Sequence, residues 1–230
     1  MLRKLSGAMA TIRTGAALAA LWSGTAVSAE LYTQFPAEIE PDARYVFYSH
    51  GLIVEGDDPR PVHPQFGTYD FPAIRAALFD GGGYNVIAHH RPANTDIDAY
   101  VEQLASWVRA LLDAGVEPKR ITLIGFSRGA HLTALTAAQF ADAGINTALM
   151  GLCLDGSVRG YPDLRLGGNL LSIFEETDVV KSCAELARNS LALESFEEIA
   201  IDTGLSHGAF YEPLDVWMTP LREWVSRTNR

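Results

Sequence analysis

The sequence predicts an α/β fold: a mostly parallel sheet of about six strands with helices on both faces. Three observations lead there. Short apolar runs rich in β-branched and aromatic residues alternate along the chain with stretches of helical periodicity. Most of those runs are continuously apolar, as strands covered on both faces are. The 230 residues, 48% hydrophobic and 20% charged, suit one globular domain with a substantial core.

Residues 30–42 are polar, contain Pro36 and Pro41, and show no period, so they read as a lead-in segment. Residues 44–49 (RYVFYS) read as a buried strand ending in His50-Gly51-Leu52, where a glycine lets the backbone turn. Residues 55–69 form a loop rich in Pro, Gly and Asp that carries His63. A helix is predicted over 71–79, with Pro72 in its first turn, stopped by Gly81-Gly82-Gly83. The next strand spans 85–89 and runs into His90-Arg91-Pro92. Thr95 or Asp96 can cap a long amphipathic helix over 97–114, whose apolar Tyr100, Leu104, Val108 and Leu111 recur at three-to-four spacing. Gly115 ends it.

Residues 121–124 (ITLI) are the next strand, and Gly125-Phe126-Ser127-Arg128-Gly129 follows directly, leading into a helix over 127–143. A serine lifted above the end of a strand must sit in a strained turn, and the flanking glycines let strand and helix approach closely. Beyond it come a strand over 148–154 closed by Asp155-Gly156, a short loop over 157–168, and a strand over 170–174. A helix over 179–189, a short strand over 199–201 and a closing helix over 214–227 complete the chain. In a parallel sheet with right-handed crossovers every strand delivers its carboxyl end to one edge. Ser127, Leu52, Asp155, Asp178 and the loop carrying His207 therefore converge.

Serine alone is a poor nucleophile; it needs a base within hydrogen-bond reach and an acid to orient that base. Of the six histidines, His207 is the best base, in a Gly-flanked loop between the last strand and the last helix. Asp178, a short turn after the 170–174 strand, is the first choice of acid, with Asp155 and Glu176 as alternatives. The order Ser127, Asp178, His207 is the one a nucleophile elbow calls for. Two backbone N–H groups, of Leu52 and Arg128, should stabilise an oxyanion, leaving the Arg128 side chain to solvent or the cleft rim. His50 should shape its turn, His89 and His90 reach the cleft rim, His63 reach the cleft, and His131 be structural. No histidine pair has helical spacing with a Glu, so neither metal nor cofactor is called for.

The first residues read as an export signal over 1–29: Arg3, Lys4 and Arg13, then a short apolar run at 16–22, then Val27-Ser28-Ala29 before the cut. A single domain over 30–230 would follow, placed in a periplasm or outside the cell. The apolar run is too short to span a bilayer. Removing the signal leaves 15 Lys and Arg against 28 Asp and Glu, a net charge of −13. That surface disfavours nucleic acid and anionic membranes. Two cysteines, Cys153 and Cys183, invite a disulfide in an exported protein, with two buried thiols as the alternative.

Together, His50-Gly51 after an early strand, Gly125-Phe126-Ser127-Arg128-Gly129, Glu176-Thr177-Asp178-Val179-Val180 after a strand, and Gly204-Leu205-Ser206-His207-Gly208 resemble the α/β-hydrolase superfamily, over residues 44–227. The resemblance implies a nucleophile at Ser127, an acid at Asp178, a base at His207 and oxyanion amides at Leu52 and Arg128. It is to small members, such as cutinase-like and dienelactone-hydrolase-like enzymes, because the leading antiparallel strands are reduced and the usual place of a lid holds only the 157–168 loop. It also implies that the strands around that loop are neighbours, bringing Cys153 near Cys183.

The reading that follows is an exported serine hydrolase cleaving a carboxylic ester or similar acyl bond through an acyl-enzyme, with no cofactor and a small or polymeric ester as substrate. Activity should rise as His207 loses its proton. The rivals are a peptidase, thioesterase or acyltransferase on the same residues, a lyase using Ser127 as a proton relay, and a non-catalytic binding protein. The absent lid implies an open cleft.

Overall fold

The computed structural model describes residues 29–230. The export signal expected over 1–29 lies, but for Ala29, outside them. The chain order is β1 (Leu31–Tyr32), β2 (Tyr45–Ser49), a short ribbon of β3 (Val62–His63) and β4 (Gly67–Thr68), α1 (Phe71–Phe79), β5 (Asn85–Ile87), α2 (Ile97–Asp113), β6 (Ile121–Phe126), α3 (Arg128–Ala138), β7 (Asn146–Met150), β8 (Gly167–Glu175), α4 (Ala184–Asn189), β9 (Ala192–Ile201) and α5 (Asp215–Thr228). Seven strands form the main sheet in the order β1-β5-β2-β6-β7-β8-β9, and every neighbouring pair is parallel.

The central strands β2, β6 and β7 are buried along their whole length, which is why they carry no alternation. The core divides across the sheet. Ile74 and Leu78 of α1 pack with Trp217, Leu221 and Trp224 of α5 on one face. Leu104, Val108 and Leu111 of α2 pack with Leu132 and Ala134 of α3 on the other. Asp70 and Asp96 cap α1 and α2 by accepting from the Ala73 and Ala99 backbone N–H groups at 2.9 Å.

The two edges depart from the sequence reading. The sheet has seven strands rather than six because β1 pairs beside β5, and two residues are too few to leave a period. It joins in parallel, so no antiparallel leading strand is present among the described residues. At the other edge β9 is ten residues long instead of three. Its Glu194, Glu197 and Glu198 hide the strand signal, and charges are what an edge strand carries.

Other boundaries shift as well. β7 starts earlier than expected and stops at Met150; α3 ends at Ala138, with turns following. The helix expected over 179–189 begins only at Ala184, because Lys181 first bridges back to Cys153, its N–H donating to that carbonyl at 2.8 Å. Cys153 and Cys183 form a disulfide that closes a 30-residue separation. In the chain-entropy account such a loop stabilises by roughly 3–4 kcal/mol.

Candidate active site

The strand-to-helix turn between β6 and α3 places Ser127 at φ 54° and ψ −119°, a conformation that L-residues rarely adopt. Its N–H donates to the Met150 carbonyl of the neighbouring strand at 3.0 Å. The glycines around it are required by contact: a Cβ at Gly125 would overlap the Gly129 carbonyl, and one at Gly129 would overlap the Ser49 carbonyl. The helix thus starts against the end of β2, with its first N–H groups beside the serine.

Ser127 Oγ lies 2.8 Å from His207 Nε2, and His207 Nδ1 lies 2.6 Å from Asp178 Oδ2. A carboxylate only accepts, so Nδ1 carries the proton and Nε2 faces the serine as acceptor. Asp178 is buried, and its Oδ1 accepts from the Val179 N–H at 2.6 Å. His207 sits in the short 3-10 turn Ser206–Phe210, with its ring near Phe126. Asp155 and Glu176, the alternative acids, are both exposed, in turns that do not meet His207.

Leu52 opens the 3-10 turn Leu52–Val54, and Arg128 opens α3. Each N–H therefore precedes the first acceptor of its own turn, as helix-terminal donors do. Both belong to segments beside Ser127: Gly51, Leu52 and Ile53 line the same cavity as Ser127 and His207. His50 fixes this turn. Its Nε2 accepts from the Arg91 N–H at 2.9 Å, so its Nδ1 carries the proton and donates to the Gly51 carbonyl at 2.9 Å. Burial first, then the neighbouring Arg91 charge, hold the His50 pKa well below the usual imidazole value. Beneath the turn, the Tyr69 hydroxyl meets the Tyr48 hydroxyl at 2.7 Å, and burial pushes Tyr69 up to about 12.

Charged residues that sequence reasoning passed over support this frame. Arg91 is fully buried, and its Nε donates to Glu55 Oε1 at 3.3 Å. Arg128 Nε donates to the same oxygen at 2.9 Å, and its Nη2 donates to the Thr95 carbonyl at 2.7 Å. Of the two places expected for the Arg128 side chain, solvent or the cleft rim, free solvent is ruled out: the buried Glu55 carboxylate and the Thr95 carbonyl hold it, leaving it 25% exposed. Glu175, the last residue of β8, is also fully buried. Nothing in their local sequence marks these residues, since their partners lie on other segments. His89 and His90 pack behind the Leu52–Val54 turn rather than at the rim: His89 stacks on Tyr100, and His90 Nε2 meets the Val54 carbonyl at 2.7 Å. His131 packs edge-on against Tyr161.

A cavity of about 390 Å³ opens beside Ser127, walled by Leu52, Ile53, His63, Phe66, Phe126 and Tyr211. The β3–β4 ribbon supplies one side of it, with Phe66 stacked on His63 and set edge-on to Tyr211. From the 54–68 segment, His63 and Phe66 line this cavity, and no residue of the 157–168 loop does. A second cavity of about 390 Å³ lies beyond Phe66 and Tyr211, along Gln65, Thr68, Leu205, Ser206 and Glu212. Among the described residues no cluster of three or more His, Cys, Asp or Glu is arranged to hold a metal ion. None of their helices is long and apolar enough to cross a membrane.

No protein-family model matches the chain. Over 149 residues it is 30% identical to an acetyl-hydrolase of Streptomyces hygroscopicus, a match covering 64% of this chain and 46% of that protein. The chain thus aligns with about half the length of this curated relative. Its fold is similar to that of a hormone-sensitive-lipase homologue from a metagenome library, with a TM-score of 0.58 at 17% identity over 83% of this chain and 80% of the other. An esterase of the bacterial hormone-sensitive lipase family gives 0.56 at 16% identity, covering 84% and 80%. The type II thioesterase BorB of the borrelidin biosynthetic cluster gives 0.54 at 17%, covering 83% and 94%. The parallel sheet, the strained serine turn between β6 and α3, and these likenesses agree: the chain has the α/β-hydrolase fold.

Proposed function

We propose that this protein is a serine hydrolase that cleaves a carboxylic ester or similar acyl bond through an acyl-enzyme on Ser127. The observation that carries the reading is the unbroken chain from Ser127 Oγ through His207 to the buried Asp178, at 2.8 and 2.6 Å. His207 Nε2 takes the serine proton as Oγ attacks the carbonyl carbon. Charge then developing on the carbonyl oxygen meets the Leu52 and Arg128 N–H groups at two turn starts. Asp178 holds the imidazole tautomer and stabilises the imidazolium. His207 returns the proton to the leaving oxygen, and a water deprotonated by the same nitrogen releases the acyl group.

The leaving group must lie on the His207 side. That places the alcohol toward Phe66, whose ring is 6.3 Å from that of His207, and the acyl group toward Leu52 and Ile53. The relative from Streptomyces is named for acetyl hydrolysis, which agrees with a short acyl group. Residues 1–29 act as an export signal, and the Cys153–Cys183 disulfide fits an oxidising compartment.

The experiment is fluorophosphonate labelling of the mature protein, read by intact mass, together with turnover of p-nitrophenyl acetate. One adduct and turnover, both lost in Ser127→Ala, are expected. A folded wild type that neither labels nor turns over an ester panel overturns the reading in favour of a binding protein.

A further inference from the structure

The sheet ends unevenly under the catalytic loops. β8 and β9 pair as far as Glu175 opposite Ile201, and there both chains leave the ladder. The chain after β8 turns through Thr177 to Asp178; the chain after β9 turns through Thr203 and Gly204 to His207. Their departing N–H groups need acceptors, and a single side chain provides them. Glu175 Oε2 accepts from the Thr177 N–H and hydroxyl, each at 2.6 Å. Its Oε1 accepts from the Thr203 N–H at 3.0 Å, the Thr203 hydroxyl at 3.2 Å and the Gly204 N–H at 2.9 Å.

We propose that Glu175 is a positioning residue that sets the Asp178–His207 distance, one carboxylate oxygen holding the turn that carries the acid and the other holding the loop that carries the base. The inference rests on the reading of Ser127, His207 and Asp178 as catalytic. Glu175 makes no contact with the cleft, so its effect passes through these two residues. An ionised carboxylate suits the task because it is acceptor-only at both ends, and all five partners are donors. Burial by itself would raise its pKa, but the hydrogen bonds from Thr177 and Thr203 outweigh it and hold the carboxyl at about 2. Besides Glu175, the two segments meet where the Glu176 N–H donates to the Ile201 carbonyl at 2.9 Å, at the His207–Asp178 pair itself, and at Ser206 Oγ, 3.4 Å from the Thr177 carbonyl.

The test compares full-length mature wild type with Glu175→Gln. An amide keeps the shape but turns an NH2 toward one of the two loops, where it meets a donor. Expected is a fall in kcat of roughly 10–100-fold, with KM within about threefold, since small displacements of catalytic groups cost that much. The far-downfield imidazole N–H proton of His207, assigned by its loss in His207→Ala, should broaden or vanish. A folded Glu175→Gln protein with wild-type kcat and an unchanged downfield proton overturns the proposal and leaves Glu175 a purely structural residue.

If Glu175→Gln does not fold, Thr203→Val and Thr177→Val each remove one donor and keep the carboxylate. Each should lower kcat several-fold, with Thr203→Ser restoring it; unchanged kcat in both overturns the proposal. A wild type without labelling or turnover would sink the hydrolase reading alone. The downfield proton needs no substrate and would still decide the role of Glu175.

Discussion

His50 Nδ1 lies 2.9 Å from the carbonyl oxygen of Gly51, and that carbonyl shares its peptide plane with the N–H of Leu52. The peptide is trans and planar, so holding the oxygen from behind fixes the N–H toward the opposite side. The buried imidazole thus aims the Leu52 N–H, the donor proposed above for the oxyanion. His50→Leu should lower kcat about 100-fold, the usual cost of one lost oxyanion donor, with a smaller change in KM. His50→Gln, whose amide can donate to Gly51, should recover part of it. Steady-state kinetics on p-nitrophenyl acetate check this, and equal kcat in all three proteins would refute it.

Acid should destabilise the protein in two stages. Burial first, then the Arg91 charge, lowers the pKa of His50 and of His89; burial, then Arg128, lowers that of His131. The folded state resists protons that the unfolded chain binds near the usual value of 6.5, so this stability is complete above 6.5 and declines below it. Glu175 is shifted the other way relative to its charge: its carboxyl falls from 4.5 to about 2, and its contribution is complete above 4.5 and fades as pH falls toward 2. Urea midpoints should therefore drop from pH 7 to 5 and again below 4.5. His50→Gln should flatten the first slope by up to about 1.4 kcal/mol per pH unit; an unchanged slope would show that His50 titrates alike in both states.

Gly129→Ala tests the elbow. The new Cβ would overlap the Ser49 carbonyl, backbone against backbone, so α3 must shift away from β2. Destabilisation of about 3 kcal/mol is expected, at the upper end for overpacking. Fluorophosphonate labelling should fail with it. A urea midpoint like wild type, at equal m-value, would contradict this account.

With the alcohol placed as proposed on the His207 side, Phe66 is the residue expected to limit its size. Its Cβ region packs against Gly208, and its ring divides the two cavities on the His207 side. Phe66→Ala should join them and raise kcat/KM for acetates of bulky alcohols, relative to ethyl acetate, on the order of tenfold. A longer acyl chain on a fixed small alcohol should show no such gain. The converse pattern would put the acyl group on the Phe66 side.

The sequence by itself determined what is local. The α/β class follows from apolar runs of strand and helix length, and the serine turn from two glycines placed where strand and helix must touch. The positions of Ser127, Asp178 and His207 were legible because each follows a strand, and parallel strands all end on one edge. Tertiary structure decided the rest. Glu175 reads as one acid in a run of polar residues until β8 and β9 pair and bring Thr177 and Thr203 around it. Arg91 and Arg128 join through the Glu55 carboxylate only when three distant segments meet, and the His50 tautomer is set by the Arg91 N–H. The edge strands β1 and β9 were hidden by brevity and by charge. Such residues have partners distant in the chain, and periodicity carries no record of a distant donor.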